Sequence, residues 1–331
     1  MTTRVTPEPD DSLDVLIIGA GMAGLTAARA LVEAGCRVRV VDKGKAPGGR
    51  LASRRMGGAA FDHGAQFFAA SDPRFRALIC HGQAAGVIKE WNCAAGEGGD
   101  ERARWRGHPC MRAVAVHLAC GLDVMLDVTI TAVRVRDGYC EVEGAQGELY
   151  RARAVILTAP VPQSLAMLKA GGVAVPEGMQ LSLESVDYER CLAVLVTLDR
   201  PSRLPATGFA PPSGGPIAWM ADMQSKRASA EPAVIIHATH AFSVDYWDRD
   251  RADVGRMLVQ AASQWMAGGV TDVQVHGWRY ARPLRTEDRP CAILSASPWL
   301  VLAGDALGGP HLEGAALSGW AAAAAVRPSR A

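Results

Sequence analysis

The stretch DVLIIGAGMAG, residues 14–24, decides how the chain begins to fold. A run of apolar residues that stops at a glycine is typical of a strand buried on both faces. Residues 25–35 then repeat apolar side chains at helical spacing, and residues 36–41 (CRVRVV) indicate a second strand that stops before Asp42. Strand, glycine loop, helix and strand together predict the βαβ unit of a dinucleotide-binding fold.

The three glycines of this loop have the spacing that a dinucleotide pyrophosphate requires. Gly19 allows the tight turn, Gly21 lets the backbone approach the phosphates, and Gly24 allows the helix to pack closely on the strand. The phosphates would lie at the positive N-terminal end of the helix. Asp42 lies about 20 residues further on, where an acidic side chain accepts hydrogen bonds from a ribose.

Composition places the chain among globular proteins and excludes some partners. Its 331 residues favour about two domains, since domains average roughly 150 residues. The 35 basic and 34 acidic residues give a net charge of +1, which argues against nucleic acid, because nucleic acid requires a concentrated basic surface. Glycine, at 35 residues, exceeds its usual share of about 7%. The backbone is therefore expected to turn sharply or approach a ligand closely at several places.

Cysteines and histidines predict neither a metal site nor an oxidising compartment. The eight cysteines include no C-x-x-C pair and are typical of reduced thiols. The histidines are dispersed, and His237 and His240, on a predicted strand, would point to opposite faces. The polar residues 1–13 do not resemble a signal peptide, and the apolar run 314–326 is too short to cross a bilayer. We therefore expect a cytoplasmic protein with no metal and no membrane span.

Two further motifs resemble FAD enzymes of the amine-oxidase group. The first is the pair Gly48-Gly49 followed by Arg50; the resemblance implies a loop folded over the pyrophosphate, with Arg50 as a fixed cation. The second is WLVLAGD, residues 299–305, where the resemblance implies that Asp305 bonds the ribityl chain. Residues Gly314-Ala315 would then open a helix whose positive end stabilises charge on the flavin pyrimidine.

Four strings between these motifs narrow the resemblance. They are FDHGAQFFAASDPRF at residues 61–75, RWRGHPCM at 104–111, HAT at 237–239 and WRYARP at 278–283. On them the chain is identified as a member of the renalase-like FAD-dependent oxidoreductases, especially the bacterial ones. One departure is Cys110, where the family tends to have glycine.

The resemblance implies an α/β fold with two intertwined domains. One is a Rossmann-type FAD-binding domain, and the other is an inserted mixed-sheet α+β substrate domain, as in p-hydroxybenzoate hydroxylase and the amine oxidases. We expect the FAD-binding domain in residues 1–75, 108–166 and 290–331. The substrate domain is expected in residues 76–107 and 167–289.

FAD is expected to bind non-covalently, because no cysteine is close to the second flavin motif. The strand predicted near residues 127–136 is expected to lie against the adenine, with Val128 offering backbone groups. The complete set of expected FAD contacts is Gly19, Gly21, Met22, Ala23, Gly24, Asp42, Lys43, Gly49, Arg50, Gly64, Ala65, Gln66, Val128, Asp305, Glu313, Gly314 and Ala315.

The reaction that the resemblance implies is oxidation of dihydronicotinamide isomers, reduced at ring position 2 or 6, to NAD(P)+. A hydride passes to flavin N5, and O2 reoxidises the flavin and yields hydrogen peroxide. Because the ring becomes aromatic as it loses the hydride, no general base is required, and the protein has to orient the ring. The expected substrate contacts are Gln66, His237, Trp278, Tyr280 and Arg282. The expected partners are a dihydronicotinamide dinucleotide and O2.

Other functions on the same scaffold stay open. Flavin amine oxidases commonly place a lysine near flavin N5, but none of the five lysines lies on a predicted strand directed at the ring. The paired aromatic residues that follow the Gly-Asp motif in those enzymes are replaced here by residues 308–311 (GGPH). A desaturase is a further alternative. A non-catalytic FAD-binding protein is disfavoured, because binding FAD alone would not require the strings around Gln66, Trp105 and Trp278.

Overall fold

The structure is a computed structural model that describes residues 13–91, 103–205, 207–210 and 214–326. Cys93 and the polar residues 1–12 lie outside this described part. The chain divides into two compact units. Unit 1 comprises Met1–Gly49, Ala115–Asp187 and Pro283–Ala331, and unit 2 comprises Arg50–Val114 and Tyr188–Arg282.

The elements of the described residues follow in chain order. The strands are β1 (Leu13–Ile18), β2 (Val38–Val41), β3 (Ser53–Met56), β4 (Ala59–Asp62), β5 (Ile88–Glu90), β6 (Trp105–Gly107), β7 (Asp123–Met125), β8 (Ile130–Val135), β9 (Cys140–Gly144), β10 (Leu149–Leu157), β11 (Tyr188–Leu198), β12 (Phe209–Ala210), β13 (Ile217–Asp222), β14 (Ala233–Ala238), β15 (Val270–Pro283), β16 (Ala292–Ala296) and β17 (Trp299–Leu302). The helices are α1 (Met22–Glu33), α2 (Pro73–Ala84), α3 (Arg112–Ala119), α4 (Val161–Ala170), α5 (Glu177–Glu184), α6 (His240–Asp245), α7 (Arg251–Ala261), α8 (Asp305–Gly308) and α9 (Leu312–Ala325).

Unit 1 is built on a mainly parallel sheet. The order β17-β10-β1-β2-β7 is parallel throughout, and β16 adds an antiparallel edge. Leu16 and Ile17 in β1 are completely buried, as expected for a strand covered on both faces. Helix α1 packs against α9, where the Thr26 hydroxyl lies 3.4 Å from the carbonyl oxygen of Ala316. The predicted Rossmann-type fold is confirmed.

Unit 2 contains a five-stranded sheet in the order β12-β13-β14-β11-β15. Side chains of β11 alternate between its two faces, so Leu192 and Val194 join one core and Ala193 and Leu195 the other. The first core also contains residues of α7. The second core contains Phe61 of β4, which is completely buried.

The bounds of the two units differ from those predicted for the domains. Residues 50–75 and 108–114 were expected in the FAD-binding domain but lie in unit 2, because β3 and β4 contribute to the second core there. Residues 167–187 lie in unit 1, where α4 packs against β8 and Leu168 is completely buried. Residues 283–289 also lie in unit 1.

Three local predictions need correction. The strand predicted from residue 127 starts at Ile130, because Asp127 adopts a left-handed φ of 60° that a strand does not accommodate. The amphipathic spacing of residues 251–266 predicts a single helix, but α7 ends at Ala261 and is followed by a 3-10 turn at Ser263–Trp265. His240 does not lie on the strand of His237; it begins α6, and its Nδ1 accepts the Arg190 N–H at 2.9 Å.

Helix length bears on the expectation about membranes. α9, the longest helix within the described ranges, has 14 residues. None of the helices in those ranges combines the length and hydropathy needed to cross a bilayer.

Candidate active site

The loop between β1 and α1 leaves open space in front of the helix. A Cβ atom added at Gly21, the N-cap of α1, would meet no protein atom within 4 Å. A Cβ atom at Gly24 would instead collide with the carbonyl oxygen of Gly19. Gly24 is therefore required for packing inside unit 1, whereas the bare backbone at Gly21 fits a phosphate group at the positive end of α1.

Asp42 directly follows β2 and is held beside this loop. Its carboxylate accepts the N–H groups of Ala20 and Gly44, each at 2.6 Å. A carboxylate has about four acceptor positions, so two remain for ribose hydroxyl groups. The N–H of Val128 donates to the Asp42 carbonyl oxygen at 3.0 Å. Of the two backbone groups expected at Val128, only the carbonyl is therefore left to face an adenine.

The second flavin motif forms where β17 ends. Gly304 has a φ of 147°, and its N–H donates to the Ser318 hydroxyl of α9 at 2.8 Å. Asp305 then begins α8 and is 6% exposed. α9 begins at Leu312, two positions earlier than expected. Gly314 has a packing role within the protein, because a Cβ atom there would collide with the carbonyl oxygens of the α8–α9 turn.

Parallel pairing brings these groups to one edge of the sheet in unit 1. β1, β2, β10 and β17 run in the same direction, so the residues that follow them gather at their carboxyl ends. These are Gly19 and Gly21, Asp42, and Asp305. Gly49 lies at the same loop: a Cβ atom added there would be 3.7 Å from Gly21 Cα. This edge fits FAD, and its residues would hold the pyrophosphate and a ribose.

The remaining expected FAD contacts are distributed as follows. Met22 and Ala23 lie in the first turn of α1, and Glu313 and Ala315 lie at the start of α9. Lys43 is exposed beside Asp42, and its Nζ lies 3.5 Å from Gln163 Oε1. Arg50, Gly64, Ala65 and Gln66 belong to unit 2. There the Arg50 carbonyl oxygen accepts the Ala65 N–H at 2.9 Å.

The loop of residues 62–66 lies against β15. Gly64 has no room for a side chain, because a Cβ atom would collide with the Arg50 carbonyl and lie 3.4 Å from Trp278 Cζ2. The Trp278 indole Nε1–H donates to the His63 carbonyl oxygen at 2.8 Å. Trp278, expected as a substrate contact, is therefore fixed to this loop by both packing and a hydrogen bond.

Three imidazoles lie close together in this part of unit 2, and we call His63, His237 and His276 the histidine cluster. The ring centroid of His276 lies 4.8 Å from that of His63 and 4.5 Å from that of Trp278. His276 and Trp278 share a face of β15 because they are two residues apart. His237 comes from β14 and interacts with the backbone of His63.

Burial keeps the histidine cluster uncharged. It lowers the pKa of His63 to about 3 and that of His237 to about 4; the pKa of His276 is also lowered by burial, and next by Arg54. Within the described ranges, His63 Nδ1 and His237 Nε2 are buried and have no hydrogen-bond partner. In the same ranges no group of three or more possible ligands is arranged to hold a metal ion. The two nitrogen atoms therefore keep unused hydrogen-bonding capacity inside unit 2.

The other expected substrate contacts lie in different surroundings. Gln66 is buried, and its side-chain amide bonds within unit 2: Oε1 accepts from Lys226 Nζ at 3.2 Å and Nε2 donates to Gly64 O at 3.1 Å. Tyr280 packs edge-on against Tyr188, with centroids 5.4 Å apart. Arg282 forms a bidentate ion pair with Glu189 at 2.7 and 3.0 Å and is 53% exposed.

Three residues near Trp278 and Gln66 in unit 2 are not among the contacts expected from the sequence. His276 had a usable signal, since it precedes Trp278 by two positions on a predicted strand. His63 lay inside a quoted string but was not selected. Lys226 had no signal, because it lies in a turn after β13 where neither periodicity nor spacing marks a buried side chain.

Comparison with known proteins agrees with this geometry. Residues 17–80 match the NAD(P)-binding Rossmann-like domain, and residues 84–327 match the family described as flavin containing amine oxidoreductase. Mouse renalase is 25% identical over 316 residues, covering 88% of this chain and 92% of that protein. The predicted resemblance to renalase is confirmed.

Putrescine oxidases are also similar. The enzyme from Kocuria rosea is 41% identical over 66 residues, or 20% of this chain and 14% of that protein. A solved structure of wild-type putrescine oxidase bound to putrescine is 14% identical, covers 94% of this chain and 98% of that chain, and has a TM-score of 0.68, which supports the fold. Family match and site geometry together show that this chain belongs to the flavin containing amine oxidoreductase family and is an FAD-dependent oxidoreductase.

Proposed function

We propose that the protein oxidises dihydronicotinamide dinucleotides, reduced at ring position 2 or 6, to NAD(P)+ with O2 as the final acceptor. Non-covalently bound FAD would supply the hydride acceptor, and O2 would then take up the two electrons with two protons, one from the hydride and one from water, to give hydrogen peroxide. The observation that carries the proposal is the neutral histidine cluster in unit 2, of which His63 and His276 lie against Trp278.

The charge around the cluster favours a neutral ring over an ammonium group. The charged groups that shift the pKa values of His63 and His276 are the cations Arg54, Arg112 and Arg251. No carboxylate is among them. These arginines would repel a protonated amine, whereas the dihydronicotinamide ring is uncharged, and the negative charge of the dinucleotide lies on its pyrophosphate.

The shape and polarity of the cluster suit an aromatic amide. The Trp278 indole offers an apolar face held by its hydrogen bond to the His63 carbonyl oxygen, 2.8 Å away. His63 Nδ1 and His237 Nε2 are unpartnered within the described residues and could bond a carboxamide group. Because aromatisation drives hydride loss, the chain has to orient the ring and exclude water, and no residue has to remove a proton.

The test is anaerobic mixing of the purified yellow protein with 6-dihydro-NAD, 2-dihydro-NAD, NADH and amines including putrescine, while flavin bleaching is followed. We expect rapid bleaching by one or both dihydronicotinamide isomers, slow bleaching by NADH and none by amines. Admission of O2 should then restore the colour and yield one hydrogen peroxide per turnover. Fast bleaching by amines together with none by the isomers would overturn the proposal and identify an amine oxidase.

A matched pair of variants tests whether the histidine cluster contacts the substrate. His237→Asn should raise the KM for the dihydronicotinamide isomer, because the imidazole contact is lost. His81→Asn, at an exposed position in the last turn of α2, should leave KM unchanged. Equal KM values for the two variants would remove His237 from the proposed substrate contacts.

A further inference from the structure

Lys226 is the lysine that the fold buries completely. Its side chain is 0% exposed, whereas Lys43, Lys45, Lys89 and Lys169 are all exposed. A buried ammonium group is costly unless it is paired and hydrogen-bonded. The partners of this ammonium group therefore indicate what Lys226 does.

The ammonium group has three partners within unit 2. Nζ lies 2.9 Å from Asp62 Oδ2, 3.2 Å from Gln66 Oε1 and 5.3 Å from the centroid of the Trp91 ring. Asp62 is itself 0% exposed, and its other oxygen accepts from the Ser53 hydroxyl at 2.6 Å and from the Met111 N–H at 2.9 Å. Burial lowers the pKa of Lys226, and the Asp62 carboxylate beside Nζ acts in the opposite direction by favouring the charged form.

This network fixes the backbone of residues 62–66. Because Lys226 holds Gln66 Oε1, the amide nitrogen of Gln66 must face the other way, where it donates to the carbonyl oxygens of Asp62 and Gly64. Asp62 and Gly64 flank His63 in the chain. The His63 carbonyl is the acceptor of the Trp278 indole N–H.

The turn that carries Lys226 is itself held in place. Asp222 Oδ1 accepts the N–H groups of Gln224 and Ser225, each at 2.8 Å, and the Asp222 carbonyl oxygen accepts the Lys226 N–H at 3.0 Å. The lysine is thus preorganised on one side and bonded to the loop on the other.

We propose that Lys226 is a positioning residue, which acts through Asp62 and Gln66 to set where the His63 imidazole and the Trp278 indole stand. The inference rests on the proposed function, in which these two rings face the substrate. A role in stability alone would be served better by apolar side chains, because replacing a buried ion pair by well-packed apolar groups is often neutral or stabilising.

The experiment compares four variants: Lys226→Met, Lys226→Arg, the double variant Asp62→Asn with Lys226→Met, and the control Lys169→Met at an exposed position. For each we would measure FAD content, the melting temperature, kcat and KM for 6-dihydro-NAD, and the ¹H–¹⁵N signal of the Trp278 indole, assigned with Trp278→Phe. The indole signal reports the position of the loop without any substrate.

Lys226→Met should lower kcat by about 10- to 100-fold, with KM changed much less, because a displacement of about 1 Å costs rates of this order. It should also shift the Trp278 indole signal. The double variant should recover the melting temperature, since no unpaired charge remains, but should recover neither kcat nor the indole signal. Lys226→Arg should keep part of kcat, and Lys169→Met should match the native protein.

The proposal is overturned if the double variant, or Lys226→Met itself, keeps both the native kcat and the native indole signal. Should Lys226→Met not fold, the double variant and Lys226→Arg decide by the same criterion. Failure of the proposed function looks different: the native protein would then oxidise no dihydronicotinamide. In that case the indole signals decide the role of Lys226, and kcat is measured with whichever substrate bleaches the flavin.

Discussion

The Trp278 indole N–H donates a hydrogen bond to the His63 carbonyl oxygen at 2.8 Å, and so joins β15 to the loop that precedes Gly64. The bond connects residues that are 215 positions apart in sequence. It fixes the plane of the indole ring, which lies against His63 and His276.

Trp278→Phe keeps an aromatic ring but removes this hydrogen bond. We expect the free energy of unfolding to fall by about 1 kcal/mol, since a buried carbonyl loses its donor. The rate of flavin bleaching by 6-dihydro-NAD should fall further, because the ring can then rotate. Trp265→Phe, which contacts the other core of unit 2, is the control and should leave the bleaching rate unchanged. Equal rates in the two variants would contradict the orienting role of Trp278.

Two alanine substitutions in the glycine loop should have opposite consequences. Gly21→Ala places a methyl group in space that is free of protein atoms, so the apoprotein should melt at its native temperature while FAD binding weakens by about 1–3 kcal/mol. Gly24→Ala forces a methyl group against the Gly19 carbonyl oxygen and should lower the unfolding free energy by about 1–3 kcal/mol. Flavin-to-protein absorbance ratios and apoprotein melting curves measure both effects. Native FAD affinity in Gly21→Ala would argue against a pyrophosphate at this loop.

Stability should fall as the solution is acidified below pH 6.5. Burial lowers the pKa of His63 from 6.5 to about 3, so between these values the unfolded chain binds a proton that the folded chain does not. Above pH 6.5 neither state is protonated and the effect vanishes. One such histidine lowers the unfolding free energy by about 2 kcal/mol at pH 5. Urea denaturation from pH 8 to pH 5 should show this loss of unfolding free energy, and His63→Gln should show a smaller loss. If the unfolding free energy depends on pH equally in both proteins, His63 is not buried in its neutral state.

Arg282→Ala should have a weaker effect on flavin reduction than Trp278→Phe. The guanidinium is 53% exposed and already paired with Glu189, and an exposed pair contributes about 1 kcal/mol or less to stability. We expect an unfolding free energy within about 1 kcal/mol of the native value and a bleaching rate close to native. Glu189→Gln provides the comparison, since it removes the partner and keeps the arginine. A large loss of rate in Arg282→Ala alone would support Arg282 as a substrate contact.

The nucleotide-binding part of the fold could be predicted because its signals are local. The apolar run before Gly19 and the spacing to Gly24 report directly on a buried strand and a close helix, and β1 and α1 are found there. The signals of the second flavin motif are equally local, and β17 ends just before Gly304 and Asp305. Each of these features depends on neighbours within a few residues.

The substrate side could be predicted only in part, because it depends on contacts between distant residues. Trp278 and His237 are expected as substrate contacts, but their proximity to His63 depends on the packing of β14, β15 and the loop after β4. Lys226 is the clearest case. A lysine in a turn is ordinarily exposed, and only the tertiary fold places it against Asp62, far away in the chain. The bounds of the two units depend on distant contacts in the same way, since β3 and β4 join a core made mostly of later residues.

The strand order of unit 1 has a consequence for how the chain folds as it is synthesised. Residues 154–157 of β10 pair on one side with β17, which lies near the end of the sequence. Until the ribosome has made β17, that edge of the nascent sheet stays open and can pair with other chains. Pairing across so long a stretch is also slow to form. A nascent chain that ends before residue 299 is therefore expected to need a chaperone, even though its glycine loop is already in place.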